Sequence, residues 1–162
     1  MQTYSRAFFI VMICLGPLCA AYGRPAGNDK AQTMKKPVQE TARQMETQRK
    51  VVFHLDADEV GRLVMALENT KNLFKEIPPQ QCQVRMVANG KAVNLFRKDR
   101  TGKYASDMEE LHKAGVRFKV CRNAMARSNM NKADLFEACE VVPAGILELI
   151  DLQALGFAYI KP

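Results

Sequence analysis

The sequence predicts an α/β protein: a three-layer α/β/α sandwich on a mostly parallel five-stranded sheet. Three observations carry that prediction. Apolar runs of strand length alternate with amphipathic segments from residue 50 to the end of the chain. The links between them are short and rich in turn residues, as in Pro78-Pro79, Asn89-Gly90 and Pro143-Ala144-Gly145. The first run, Val51-Val52-Phe53-His54-Leu55, is almost continuously apolar, the pattern of a strand covered on both faces.

In order, Asp56-Ala57-Asp58-Glu59 is expected to open a helix, with Asp56 as the cap and Glu59 closing a capping box. Val60, Leu63, Val64, Leu67 and Phe74 then share one face of a helix reaching about Lys75, and Pro78-Pro79 ends it. Cys82 to Ala88 is the second strand, followed by the Asn89-Gly90 turn and a short helix from Ala92 to Phe96. Lys98 to Lys103 reads as a charged loop, and Tyr104 to Ala114 as a helix stopped by Gly115. Val116 to Cys121 is the third strand, and Arg122 to Met130 a polar, irregular loop. Asn131 is expected to cap a short helix to about Cys139; Glu140 to Val142 follows as the fourth strand. An apolar helix from Ile146 to Leu155 and a fifth strand, Phe157 to Ile160, complete the chain. That helix serves either core packing or an oligomer interface.

At 162 residues the chain holds one domain with extensions, and a core of this size closes without disulfides. Residues 1–23 read as a signal peptide: Arg6, an apolar run from Ala7 to Gly16, then small residues around Ala21. The run is too short for a membrane span, so a periplasmic or secreted protein with no stable membrane anchor after cleavage is expected. Residues 24–49 contain Pro25, Gly27, Pro37 and many Gln, Lys and Thr side chains, the composition of a flexible basic leader. The folded domain is expected over residues 50–162.

The formal charge is +7, falling to +6 once residues 1–23 and their one cation, Arg6, are removed. The basic residues interleave with acids and no nucleic-acid motif accompanies them, so no nucleic-acid partner is expected. GxGxxG, P-loop and GxSxG patterns are absent from the sequence, leaving nucleotide, phosphoryl and serine-hydrolase chemistry without support and no cofactor expected.

Signal cleavage reduces five cysteines to Cys82, Cys121 and Cys139. An odd number in an oxidising compartment leaves at least one thiol free or paired between chains. No Cys/His spacing fits zinc. Cys121 ends a strand and precedes Arg122 and Asn123, at the edge where open α/β sheets present reactive groups. A reactive thiol needs partial exposure and positive potential, which Arg122, Arg127 and nearby backbone amides can supply. His54, Asn89 and Gly90 end the first two strands on the same edge and are candidate binding residues. Asn-Gly is also plain turn chemistry. His54, Asp56 and Asp58 alternate as metal ligands can, but the capping and first-turn roles of the two acids argue against a metal.

The stretches VVFHLDADEVGRLVMALENTKNL, VRMVANGKAVNLF, GVRFKVCRNAM and VVPAGILELIDLQALGFAYIKP, in that order, resemble the DsrE/DsrF-like family over nearly all of residues 50–162. The resemblance implies this same fold and homo-oligomers, often trimers or hexamers. It also implies a persulfide-carrying cysteine after the third strand that passes sulfur between donor and acceptor proteins; Cys121 is the residue that matches. An export signal separates this chain from the family's cytoplasmic relay members. A sulfur carrier or sulfurtransferase is therefore the first functional expectation. A non-catalytic oligomeric or small-ligand module with structural cysteines is the second, and a redox protein pairing Cys121 with Cys82 or Cys139 the third.

Overall fold

The computed structural model describes residues 48–162. The signal peptide and nearly all of the basic leader expected from the sequence lie outside the described residues. Five strands, β1 (Arg49–Leu55), β2 (Cys82–Ala88), β3 (Arg117–Cys121), β4 (Cys139–Val142) and β5 (Ala158–Ile160), form one sheet in the order β4-β3-β2-β1-β5. All four pairings are parallel. Every strand therefore ends on the same edge, and the residues that follow them are gathered there.

The helices are α1 (Val60–Glu76), α2 (Lys98–Thr101), α3 (Ala105–Lys113), α4 (Arg122–Arg127) and α5 (Gly145–Ala154). The main core joins one face of the sheet to α1, α3, α4 and a 3-10 segment at Gly90–Phe96. Phe118 and Phe96 meet at its centre, with ring centroids 6.2 Å apart, and both are fully buried. On the other face α5 packs Leu149 and Leu152 against Val52, Val87 and Phe157. The result is the three-layer α/β/α sandwich that the sequence predicts, with a sheet that is wholly parallel.

Several boundaries differ from expectation for physical reasons. Helix α1 starts at Val60 with Glu59 as its uncapped N-cap, because Asp56 and Asp58 are drawn to Lys161 and Arg100 instead. Its buried residues are Leu63, Ala66, Leu67 and Thr70, and Val60 is exposed; the Thr70 hydroxyl is satisfied by donating to the Ala66 carbonyl at 2.8 Å. Ile77, before Pro78, is extended and ends the helix as expected. The segment after Cys121 is helical rather than irregular: Arg, Ala and Met are good helix formers, and Ala124 and Met125 bury against the core. Conversely, Asn131 caps only a 3-10 turn, Lys132–Asp134, through a capping box with Asp134. Cys139 then opens β4 rather than closing a helix. The charged segment from Lys98 forms the short helix α2 and a further 3-10 turn.

Candidate functional site

Cys121 occupies the last position of β3 and the N-cap of α4. It is 5% exposed. The start of α5 lies against it. A Cβ built on Gly145 would stand 2.9 Å from the Asn89 Cβ and 3.2 Å from the Cys121 Cβ, so only glycine lets the helix come this close. Residues 89, 121 and 145 thus converge from the ends of β2 and β3 and the first turn of α5 on one corner. Two helices present their uncapped N-termini at this edge, a source of positive potential.

The carboxyl edge also holds an ordered hydrogen-bond chain. His54, near the end of β1, places Nδ1 2.6 Å from the Tyr159 hydroxyl and Nε2 3.1 Å from Asn89 Oδ1. Tyr159 is brought there by the pairing of β5 with β1, in which it stands level with Val52. His54 and Asn89 are therefore joined directly, and Asn89 carries the connection to the Cys121 corner. Gly90 has a different role. Its φ is +54°, and a Cβ would meet the Asp56 carbonyl oxygen at 2.7 Å, so glycine is required to lay the turn against the β1 loop.

The two acids after β1 are engaged separately. Asp56 pairs with Lys161, and that hydrogen bond holds its carboxyl below the usual aspartate range. Asp58 accepts from Arg100 at 2.8 Å and Asn94 at 3.3 Å and is likewise lowered, chiefly by Arg100. His54, Asp56 and Asp58 thus point to different partners rather than to a shared ion. Among the described residues no group of three or more His, Cys, Asp or Glu side chains is arranged to hold a metal.

Arg122 and Asn123 are both exposed on the first turn of α4. Arg122 lines a cleft of about 510 Å³ with Met125, Met130, Asn131, Lys132 and Val141. A larger cleft, about 590 Å³, runs past Lys98, Glu109, His112 and Phe136 and contains none of the predicted site residues.

All three described cysteines are free. Cys121 stands level with Val142, three positions along β4 from Cys139. That is about 10 Å of strand, beyond the Cα separation of roughly 4.4–6.8 Å that a disulfide spans. Cys82 is at the opposite edge, where it pairs with Arg49. The expected alternative of a redox pair therefore has no geometric basis in this fold. Burial raises the Cys82 thiol and pushes Cys139 up to about 12, leaving both as neutral packing residues. Among the described cysteines, Cys121 is the one at the open edge.

Sequence reasoning placed Cys121, His54, Asn89 and Gly90 on one edge but missed Tyr159 and Gly145. Tyr159 was hidden because strand order, which puts β5 beside β1, is not written in local pattern. Gly145 was hidden because, beside Pro143 and Ala144 and ahead of Ile146, it reads as plain turn or N-cap chemistry.

These features define a class, parallel α/β proteins with a single thiol at the carboxyl edge of the sheet. The chain belongs to the DsrE/DsrF-like family, whose profile matches residues 20–162 and which is associated with sulfur relay. It is similar to the solved structure of a protein of unknown function from Methanobacterium thermoautotrophicum, at 35% identity and a TM-score of 0.65. That similarity covers 71% of this chain and all of the other. No curated protein matches the chain.

Proposed function

We propose that the protein is an exported, homo-oligomeric sulfur carrier in which Cys121 holds sulfur as a persulfide and passes it to a partner. The observation that carries this reading is the position of Cys121 at the meeting point of β3, α4 and α5, in a family associated with sulfur relay. The Cys121 thiolate attacks the outer sulfur of a donor persulfide. A new Cys121 S–S bond forms as the donor's S–S bond breaks, and the donor leaves as a thiolate. An acceptor thiolate then takes the outer sulfur by the same exchange and regenerates Cys121, with no net oxidation.

Support for self-association comes from α5 and its C-cap, Leu155. Ile146, Leu147, Ile150 and Leu155 are 50–63% exposed, beside the exposed edge residues Tyr159 and Ile160. A helix apolar on both faces is normally covered on both. The export proposal rests on residues 1–23 of the sequence.

A second reading, a non-catalytic oligomeric module, draws on the burial of Cys121. Native mass spectrometry after incubation with a small alkyl persulfide separates the two. The wild type is expected to be an oligomer that gains one sulfur per chain, and Cys121→Ser to gain none. Equal uptake by both proteins, or no uptake by the wild type, overturns the carrier. A monomer at micromolar concentration overturns the assembly.

A further inference from the structure

We infer that Tyr159 and His54 are positioning residues that orient the Asn89 amide so that its NH2 group, not its oxygen, serves the sulfur taken up by Cys121. The inference rests on the carrier reading and adds to it the group that recognises the transferred atom.

Each link of the chain has a direction. Asn89 Oδ1 can only accept, so the contact at 3.1 Å requires a hydrogen on His54 Nε2. In the imidazole tautomer with its hydrogen on Nε2 the lone pair lies on Nδ1, where it accepts from the Tyr159 hydroxyl. A phenol is a strong donor and a weak acceptor, and the short 2.6 Å separation fits donation from oxygen. The two rings are tilted at 59° with centroids 5.6 Å apart, so they meet through these polar atoms and not by stacking. Tyr159 thus selects one imidazole tautomer, and that tautomer selects one face of the amide.

The consequence lies at the other end of Asn89. Pinning Oδ1 on His54 leaves Nδ2 as the side-chain donor, and among the described residues it donates no hydrogen bond. The Cβ atoms of Asn89 and Cys121 stand 2.9 and 3.2 Å from the place a Cβ on Gly145 would take, so the two side chains start from the same corner. A persulfide on Cys121 adds one outer sulfur, and that atom carries the negative charge. An amide N–H beside it is favourable; a flipped amide would set a carbonyl oxygen against an anion. The first turn of α5 adds backbone N–H groups with no side-chain cap. Asn89 is the contacting residue, and Tyr159 and His54 act through it.

Two rates measured at Cys121 of the full chain test this: sulfur loading from a small alkyl persulfide, and alkylation by neutral iodoacetamide. Asn89→Asp is expected to lower loading relative to alkylation by about tenfold or more, because a carboxylate replaces the donor. Tyr159→Phe and His54→Gln are expected to lower the same ratio by about threefold, the effect of one neutral hydrogen bond. A merely structural role would move both rates together. The His54 imidazole nitrogen resonances give a second readout, independent of sulfur: the wild type should show hydrogen on Nε2, and Tyr159→Phe a mixture of tautomers. An unchanged ratio in all three variants, or hydrogen on Nδ1 in the wild type, overturns the inference while wild-type sulfur uptake leaves the carrier standing. Absence of uptake by the wild type fells both.

Discussion

The two faces of the sheet are built from the same strands and do different work. The face under α1 and α3 is closed: Met86, Phe118 and Val84 meet Leu63, Leu67, Met108 and Leu111, all almost fully buried. The face under α5 is only partly covered. Beside the small cluster of Val52, Val87, Leu149, Leu152 and Phe157 runs a charged ladder, in which Lys119 reaches Glu140 at 3.3 Å and Glu148 at 3.2 Å. Arg117 joins it at Glu140, 3.5 Å away, and Arg85 lies over the Phe157 ring at 5.6 Å, its guanidinium pKa lowered by burial. One face supplies stability. The other carries His54, Asn89, Tyr159 and the Gly145 corner, together with the exposed stripe of α5.

The largest expected effect lies on the closed face. Phe118→Ala removes a fully buried ring from against Phe96, in a core with no exposed side from which to collapse. A loss of about 3–5 kcal/mol is expected, measured as a shift in the urea unfolding midpoint. A loss below about 1 kcal/mol would mean that the two faces share stability more evenly than their packing implies.

Gly145→Ala probes the open face with a single methyl group. The added Cβ meets two other Cβ atoms, which cannot rotate away, so α5 must move outward. The expected cost is about 1–3 kcal/mol, smaller than for Phe118→Ala. Its signature is an altered iodoacetamide rate at Cys121, whereas Phe118→Ala should leave the native-state rate nearly unchanged. Equal changes in both variants would remove the distinction between a packing face and a site face.

The same division explains what was legible in the sequence. The closed face follows from local rules: continuous apolar runs for β1 and β2, a helical stripe for α1, and Pro78-Pro79 as a stop. The strand-end position of Cys121 follows from those rules as well. The rest depended on long-range pairing. Tyr159 reaches His54 only because β5 returns to lie beside β1. Asp56 looks like a helix cap until Lys161, 105 residues away in sequence, reaches it. Arg122 to Arg127 looked like a loop because its polar residues hid two inward-facing ones, Ala124 and Met125.

The smallest effect concerns the loops that join the two faces at the carboxyl edge. Asp58 is tied to Arg100 and Asn94 on the side of the closed core, and its side chain is 26% exposed. Its carboxyl is held below the ordinary 3.8, chiefly by the Arg100 hydrogen bond. A depressed carboxyl contributes stability that is present above its unfolded value and lost as pH falls through its folded value. The contribution is therefore in place at pH 7 and is lost as the pH falls through the depressed folded value, below 3.8. Asp58 Oδ1 is buried with no partner among the described residues, which opposes the charged form and keeps the net effect small. Asp58→Asn should cost about 0.5–1 kcal/mol at pH 7 and progressively less as the pH is taken below 3.8, so its unfolding midpoint varies less with pH than that of the wild type. If wild type and variant lose stability in parallel on acidification, the Arg100 pair contributes nothing. The acid sensitivity of this edge would then fall to Asp56 and Lys161.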